Sequence, residues 1–238
     1  MTFRPILHLA LGALALSFAT ACSSAPECPA NDLTSAEVEL GWELLFDGET
    51  LEGWHLYGRP EETTGWEVDD GTLARTGSGG DLVTAGVYTD FELRLQWRIS
   101  EGGNSGVFFR VADEQDAVWR TGPEMQVLDN ARHPDGRNGY TSAGANYALH
   151  APPTDSTRDV GEWNDVHILV QGPHVEYWLN GLLQCRYELG SEEWERLVAA
   201  SKFASMPLYG REPSGRIALQ DHGDLVWYRN VKIRELGE

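Results

Sequence analysis

The chain has 238 residues and a formal charge of −19, a balance that repels polyanions and argues against nucleic acid and anionic lipid surfaces as partners. Nine tryptophans among 41% hydrophobic residues suffice for one sizeable core, and no internal repeat or further Pro/Gly-rich linker divides the chain beyond its N-terminal segment. The sequence lacks a Gly-x-x-x-x-Gly-Lys-Ser/Thr phosphate loop, a Gly-x-Ser-x-Gly elbow and a His-Glu-x-x-His zinc helix, which removes several familiar reaction classes.

At the N-terminus Arg4 precedes an apolar stretch, Ile6 to Phe18, that is too short to cross a bilayer comfortably. It ends in Ala19-Thr20-Ala21-Cys22, which makes residues 1–21 a signal peptide. Small residues running into a cysteine favour lipidation of Cys22; the rival reading is ordinary secretion with cleavage after Ala21. The expectation is therefore an exported, periplasmic or outer-membrane lipoprotein that touches the membrane through its lipid anchor only. Residues 22–38, with Pro26 and Pro29, read as the lipidated cysteine and a flexible tether, and 39–238 as one domain. Cys28 falls in the tether, so the domain is expected to rely on its core rather than on a Cys28–Cys185 bridge.

Within the domain, Phe91 to Ile99 alternates apolar and polar residues without a break, the mark of a strand with one buried face. Asp165 to Val170 alternates in the same way. His174 to Leu179 and Leu182 to Glu188 flank Asn180-Gly181, a pair suited to the positive φ angles of a type I′ hairpin. Shorter strand candidates are Glu43 to Phe46, Trp66 to Val68, Thr72 to Arg75, Gly106 to Val111, Glu124 to Leu128 and Val226 to Arg234. Ser191 followed by Glu192 and Glu193 predicts one short helix with a serine cap and acids in its first turn. Many short antiparallel strands with one minor helix mean an all-β sandwich or jelly roll.

Four clusters carry candidate chemistry. Period two places Glu124 and Gln126 on one strand face opposite Met125 and Val127, with Asp129 rejoining them only through a bulge. That spacing resembles the catalytic strand of laminarinase-like β-glucanases, although a glutamine in the middle and a short aspartate at the end speak against direct double displacement. The bland alternative is a solvated strand face. Asn104 lies in a Gly-rich loop before a strand that ends in Arg110, a guanidinium able to polarise a sugar oxygen or simply to form a surface ion pair. Gln220-Asp221-His222-Gly223-Asp224 gathers an amide, two carboxylates and an imidazole in one loop. Asn146, Tyr147, His150 and Trp163 add the stacking rings and planar polar groups that sugar sites combine, though most tryptophans belong to the core. Asp69-Asp70-Gly71 and Asp135-Gly136 read as turns.

Five motifs in order, Leu45-Phe46-Asp47-Gly48 with Leu51-Glu52-Gly53-Trp54, Glu101-Gly102-Gly103-Asn104-Ser105-Gly106, Glu124-Met125-Gln126-Val127-Leu128-Asp129, Gly161-Glu162-Trp163-Asn164 and Leu219-Gln220-Asp221-His222-Gly223, resemble the 3-keto-disaccharide hydrolase family from about Trp42 to Leu236. The resemblance implies a concanavalin-like jelly roll related to laminarinase-type β-glucanases, acting on sugars that a partner dehydrogenase has oxidised at C3. A ketone at C3 acidifies the hydrogen on C2, so proton abstraction and expulsion of the C1 oxygen, followed by addition of water, need no nucleophilic carboxylate. The glutamine at position 126 then fits. On this reading Glu124 and His222 share the proton transfers, and Arg110, with a divalent metal as a further candidate, holds the enolate. Asn104, Gln126, Asp129, Gln220 and Asp221 contact sugar or metal, and Tyr147 and Trp163 flank the ring. A non-catalytic, lectin-like lipoprotein on the same fold is the alternative.

Overall fold

The computed structural model describes Met1 and residues 30–237; the leader, Cys22 and Cys28 lie outside the described residues. In chain order the strands are β1 (Glu43–Leu44), β2 (Trp54–Leu56), β3 (Trp66–Asp69), β4 (Thr72–Arg75), β5 (Leu82–Thr84), β6 (Phe91–Ile99) and β7 (Asn104–Val111). They continue with β8 (Glu124–Leu128), β9 (Asn164–Gln171), β10 (His174–Leu179), β11 (Leu182–Glu188), β12 (Arg216–Leu219) and β13 (Val226–Glu235). Among the described residues two α-helices, α1 (Ser35–Glu39) and α2 (Glu192–Ala199), accompany them. An eight-stranded sheet runs β11-β10-β9-β6-β13-β4-β3 with β1 added to β13, and a five-stranded sheet runs β2-β5-β12-β7-β8. This is the all-β jelly-roll sandwich that the strand pattern predicts, with one main core between the sheets.

The expected elements form for the expected reasons. In β6 the alternating residues Phe91, Leu93, Leu95, Trp97 and Ile99 are all buried, and the intervening residues face outward. Asn180 and Gly181 take φ angles of 50° and 79°, as a type I′ turn requires. The Ser191 hydroxyl accepts the Trp194 amide and caps α2.

Three strands, β2, β5 and β12, escape the alternation pattern because each has three or four residues, and nearly all of them are buried. They belong to the five-stranded sheet, whose β7 and β8 are also buried along their full lengths. This sheet is covered on both faces. Its second face carries a separate apolar cluster of Val83, Phe108, Val111, Val118 and Ala218 under Tyr57 and Trp119.

The stretch assigned to the tether is docked well before residue 38. Asn31 exchanges hydrogen bonds with Asn230, at 2.6 and 2.8 Å, and its amide nitrogen donates to Gly71 O at 2.7 Å. Thr34 and Glu37 form a capping box on α1, and Glu37 pairs with Lys232 on β13. Side-chain to backbone exchange of this kind leaves no apolar period to read, which is why composition alone suggests a linker. Among the described residues no helix is long and apolar enough to cross a membrane.

A column of parallel rings joins the edge of the large sheet to the loops over the small one. His150 stacks on Tyr187 (4.9 Å), Tyr187 on Trp194 (5.3 Å), Trp194 on Tyr209 (5.8 Å) and Tyr209 on Phe203 (3.8 Å). Through Phe203, the column fixes the turn Lys202–Ser205 that follows α2.

Candidate active site

The outer face of the five-stranded sheet is where the polar residues of β7 and β8 emerge. Gly106 pairs with Gln126 and Phe108 with Glu124, so these side chains share a face while Val107, Phe109, Met125 and Val127 enter the main core. A small cavity of about 60 Å³ opens there, lined by Asn104, Glu124, Gln126, Tyr147, Lys202, Gln220 and His222. Six of these seven are sequence candidates. Lys202 is the addition.

Each is held from behind. The Gln220 amide donates to Gly106 O (3.0 Å) and its carbonyl accepts the Ser105 hydroxyl (2.8 Å). Asp224 accepts the Asn104 amide at 3.0 Å. Residues 141–147 run beside β8, where Tyr147 N donates to Glu124 O (3.0 Å), Gln126 N to Ala145 O (3.0 Å), and Gln126 Nε2 to Thr141 O (3.1 Å). His222 projects from the loop after β12, exposed at the mouth.

Glu124 is 5% exposed and Gln126 1%, so this is no solvated strand face. Room for the carboxyl comes from Gly106: a Cβ there would lie 2.4 Å from Glu124 Oε1 and 3.0 Å from its Cδ. Burial pushes the Glu124 carboxyl up to about 8, the Lys202 ammonium opposing the rise and the Asp81 and Asp135 carboxylates adding to it. Burial likewise lowers the pKa of Lys202, whose ammonium sits 4.0 Å from the Tyr147 ring centroid. Asp81, behind the loop, is raised to about 6, again mainly by burial. The side-chain oxygens of Asn104, Gln126 and Gln220 are buried with no hydrogen-bond partner. Orphaned acceptors around one carboxyl call for a ligand rich in hydroxyl donors.

Four candidates lie elsewhere. Arg110 would share the face of Gly106 and Phe108 on strict alternation, but β7 carries a bulge: Phe108 pairs with Ala218 and Val111 with Arg216, leaving two residues opposite Ile217. With φ at 52°, Arg110 is turned the other way, and its Nη2 donates to Gly172 O (2.9 Å), Thr89 O (3.2 Å) and Asp90 Oδ1 (3.3 Å). It clamps β7 to the large sheet's turns. Asp129 accepts the amides of Gly102 (2.8 Å) and Ala131 (3.1 Å) and pairs with Arg132, which closes a turn and takes it out of the cavity. Asp221 is spent on Arg75 (2.7 Å) and on the amides of Gly79 and Gly80 (2.9 Å each), so it anchors the loop that carries His222. Trp163 stacks with Arg98 (4.9 Å) and Arg229 (4.2 Å) on the outer face of the other sheet.

A divalent ion here would rest on the amide oxygens of Asn104, Gln126 and Gln220 more than on charged ligands. The cavity offers one carboxylate and one imidazole, and among the described residues no three His, Cys, Asp or Glu side chains converge.

Residues 41–234 match the family described as a 3-keto-alpha-glucoside-1,2-lyase-like domain. A curated 3-keto-disaccharide hydrolase of Bacteroides thetaiotaomicron is 32% identical over 228 residues, covering 82% of this chain and 79% of that one. The chain belongs to the 3-keto-disaccharide hydrolase family. It is a glycoside-cleaving enzyme. Two crystal structures from Parabacteroides distasonis, both provisionally classed as glycosyl hydrolases, share its fold. One is 34% identical with a TM-score of 0.82, over 87% of this chain and all of that chain. The other is 28% identical with a TM-score of 0.65, over 82% and 99%.

The site geometry separates two substitutions. Gly106→Ala should lower kcat/KM at least about tenfold while the protein remains folded, because the new methyl displaces only the Glu124 carboxyl. Arg110→Met should do the reverse, costing about 1–3 kcal/mol in urea denaturation and leaving kcat/KM within about twofold of wild type.

Proposed function

We propose that the enzyme cleaves 3-keto-glycosides or 3-keto-disaccharides by elimination and hydration, with Glu124 as the base. One observation carries this reading: the cavity holds a single carboxyl, Glu124, buried and raised to about 8. Direct glycosidases need two carboxylates flanking the bond. An elimination needs one base poised near neutrality, a positive charge for the enolate and an acid for the leaving group. The lyase-like description of the family and the name of the Bacteroides relative support the same substrate class.

In the proposed sequence the Glu124 carboxylate takes the proton from C2, and the C2–H electron pair forms an enolate whose charge falls on the C3 oxygen. Lys202, not Arg110, supplies the cation for that oxygen. Collapse of the enolate restores the ketone, forms C1=C2 and breaks the C1–O bond, with a ring N–H of His222 giving a proton to the departing alcohol. Water then adds at C1 and a proton returns to C2. Asn104, Gln126 and Gln220 accept hydrogen bonds from the ring hydroxyls through the oxygens left unpartnered. A 3-keto substrate presupposes a sugar 3-dehydrogenase acting earlier.

Because the base must be ionised and its folded pKa is raised, kcat/KM on a 3-keto-β-glucoside should climb with pH and level off above about 8. Lys202→Met removes the charge that opposes the rise, so it should move that limb to higher pH as well as slow the reaction. Glu124→Gln should be at least about a hundredfold slower, and should abolish deuterium uptake at C2 in heavy water. The unoxidised glucoside should be inert. Equal activity of Glu124→Gln and wild type would remove Glu124 from the mechanism.

We also propose that the enzyme is exported and anchored through a lipid on Cys22, on the strength of the leader and the Ala19-Thr20-Ala21-Cys22 run. Cys22→Ser should move the protein from the membrane fraction to the soluble fraction and eliminate labelling by radioactive palmitate. Unchanged labelling would refute the anchor.

A further inference from the structure

The outer face of the eight-stranded sheet, on the other side of the sandwich from Glu124, carries a second feature that catalysis leaves unused. Strand register sets Trp178 beside His167, His167 beside Arg94, and Arg94 beside Lys232, a row running across β10, β9, β6 and β13. The next row holds Asp165 and Gln96. Together they line a cleft of about 370 Å³.

The charges in this cleft do not cancel. Asp165 is fully engaged, its two oxygens accepting Gln96 Nε2 (2.6 Å) and Arg158 Nη2 (2.9 Å). Lys232 pairs with Glu37. Arg94 is exposed, lies 4.7 Å over the Trp42 ring, and meets no carboxylate among the described residues. Beside it, His167 Nε2 is buried and faces Glu92 Oε1 at 4.0 Å, a carboxylate whose other oxygen accepts Arg234 Nη2 at 2.8 Å. An exposed guanidinium that no carboxylate neutralises, on a chain of charge −19, is a local site for an anion that the rest of the surface repels. At the end of the row Trp178 is half-buried, and its Nε1 donates to Glu176 Oε2 (2.9 Å), which fixes the ring. Two strand spacings, roughly 10 Å, separate the ring from the guanidinium.

That pairing of stacking ring and carboxylate fork suits one class of ligand. We propose that this cleft binds oligosaccharide chains bearing uronic-acid carboxylates, one sugar on Trp178 and a carboxylate on Arg94, and so holds the enzyme on an acidic glycan remote from its catalytic cavity.

Affinity electrophoresis of the full mature protein tests it, with polygalacturonate, neutral dextran or no polysaccharide in the gel. Wild type should be retarded by polygalacturonate alone. Arg94→Ala and Trp178→Ala should each weaken the apparent affinity at least about fivefold, Arg94→Lys less so, because a lysine keeps the charge and loses the fork. All three should keep wild-type melting temperatures and wild-type turnover of a small 3-keto-β-glucoside, which separates this site from the catalytic one. Equal mobility of wild type in all three gels, equal retardation by dextran, or retardation of Arg94→Ala and Trp178→Ala to the wild-type extent would each overturn the proposal.

Discussion

A carboxyl group that is 5% exposed, and that accepts no hydrogen bond among the described residues, cannot ionise at an ordinary pKa, and the residues around Glu124 are arranged about that fact. Space for it exists only because Gly106 lacks a side chain on the neighbouring strand. Lys202 keeps the rise in bounds by facing the carboxyl with a positive charge. The aromatic column from His150 to Phe203 fixes the turn that carries this lysine, so a run of stacked rings joins the edge of the large sheet to the protonation state of one group on the small sheet.

The two sheets divide the labour. Elements covered on both faces can hold polar groups away from water, and the five-stranded sheet is of this kind, with β7 and β8 buried throughout. It therefore hosts the perturbed carboxyl and the orphaned amide oxygens. The eight-stranded sheet keeps one face toward solvent, as its alternating burial in β6, β9 and β10 shows, and that face carries stacked arginines and tryptophans. Arg110 ties the halves together, its guanidinium reaching from β7 to the turns that hold Asp90 and Gly172.

The same division governs what can be read from the chain. Period two is visible in Phe91 to Ile99 because water lies on one side, and the Asn180-Gly181 and Ser191 signals are visible because they depend on neighbours in sequence. Leu82 to Thr84 is apolar on both faces and too short to show a period. Glu124, Gln126, Asn104, Gln220, Tyr147 and His222 could be found because strand alternation and a crowded polar loop mark them. One bulge takes Arg110 off the face that strict alternation gives it, and no local residue announces the bulge since the positive φ falls on an arginine. Asp221 looks like a ligand in sequence, yet its partners Arg75, Gly79 and Gly80 are more than 140 positions away. Lys202 has no sequence signal: it is a single cation on a turn after a helix, held near Glu124 by the stacked rings and by the Ser201 cap on Phe203 N.

The amide at Gln126 follows from the same electrostatics. It sits on the face of Glu124 two residues along, and its Nε2 donates to Thr141 O. A carboxylate there would meet a carbonyl oxygen with no proton to give, and would add a like charge to a group already raised by burial. The pair would share a proton over a wide pH range, and the carboxyl of Glu124 would be harder still to ionise. A nucleophile–acid pair gains from two carboxyls on one strand, but an elimination gains from one carboxyl with a neutral neighbour and a cation opposite. Gln126 and Lys202 supply that arrangement together, and the glutamine makes the lysine sufficient.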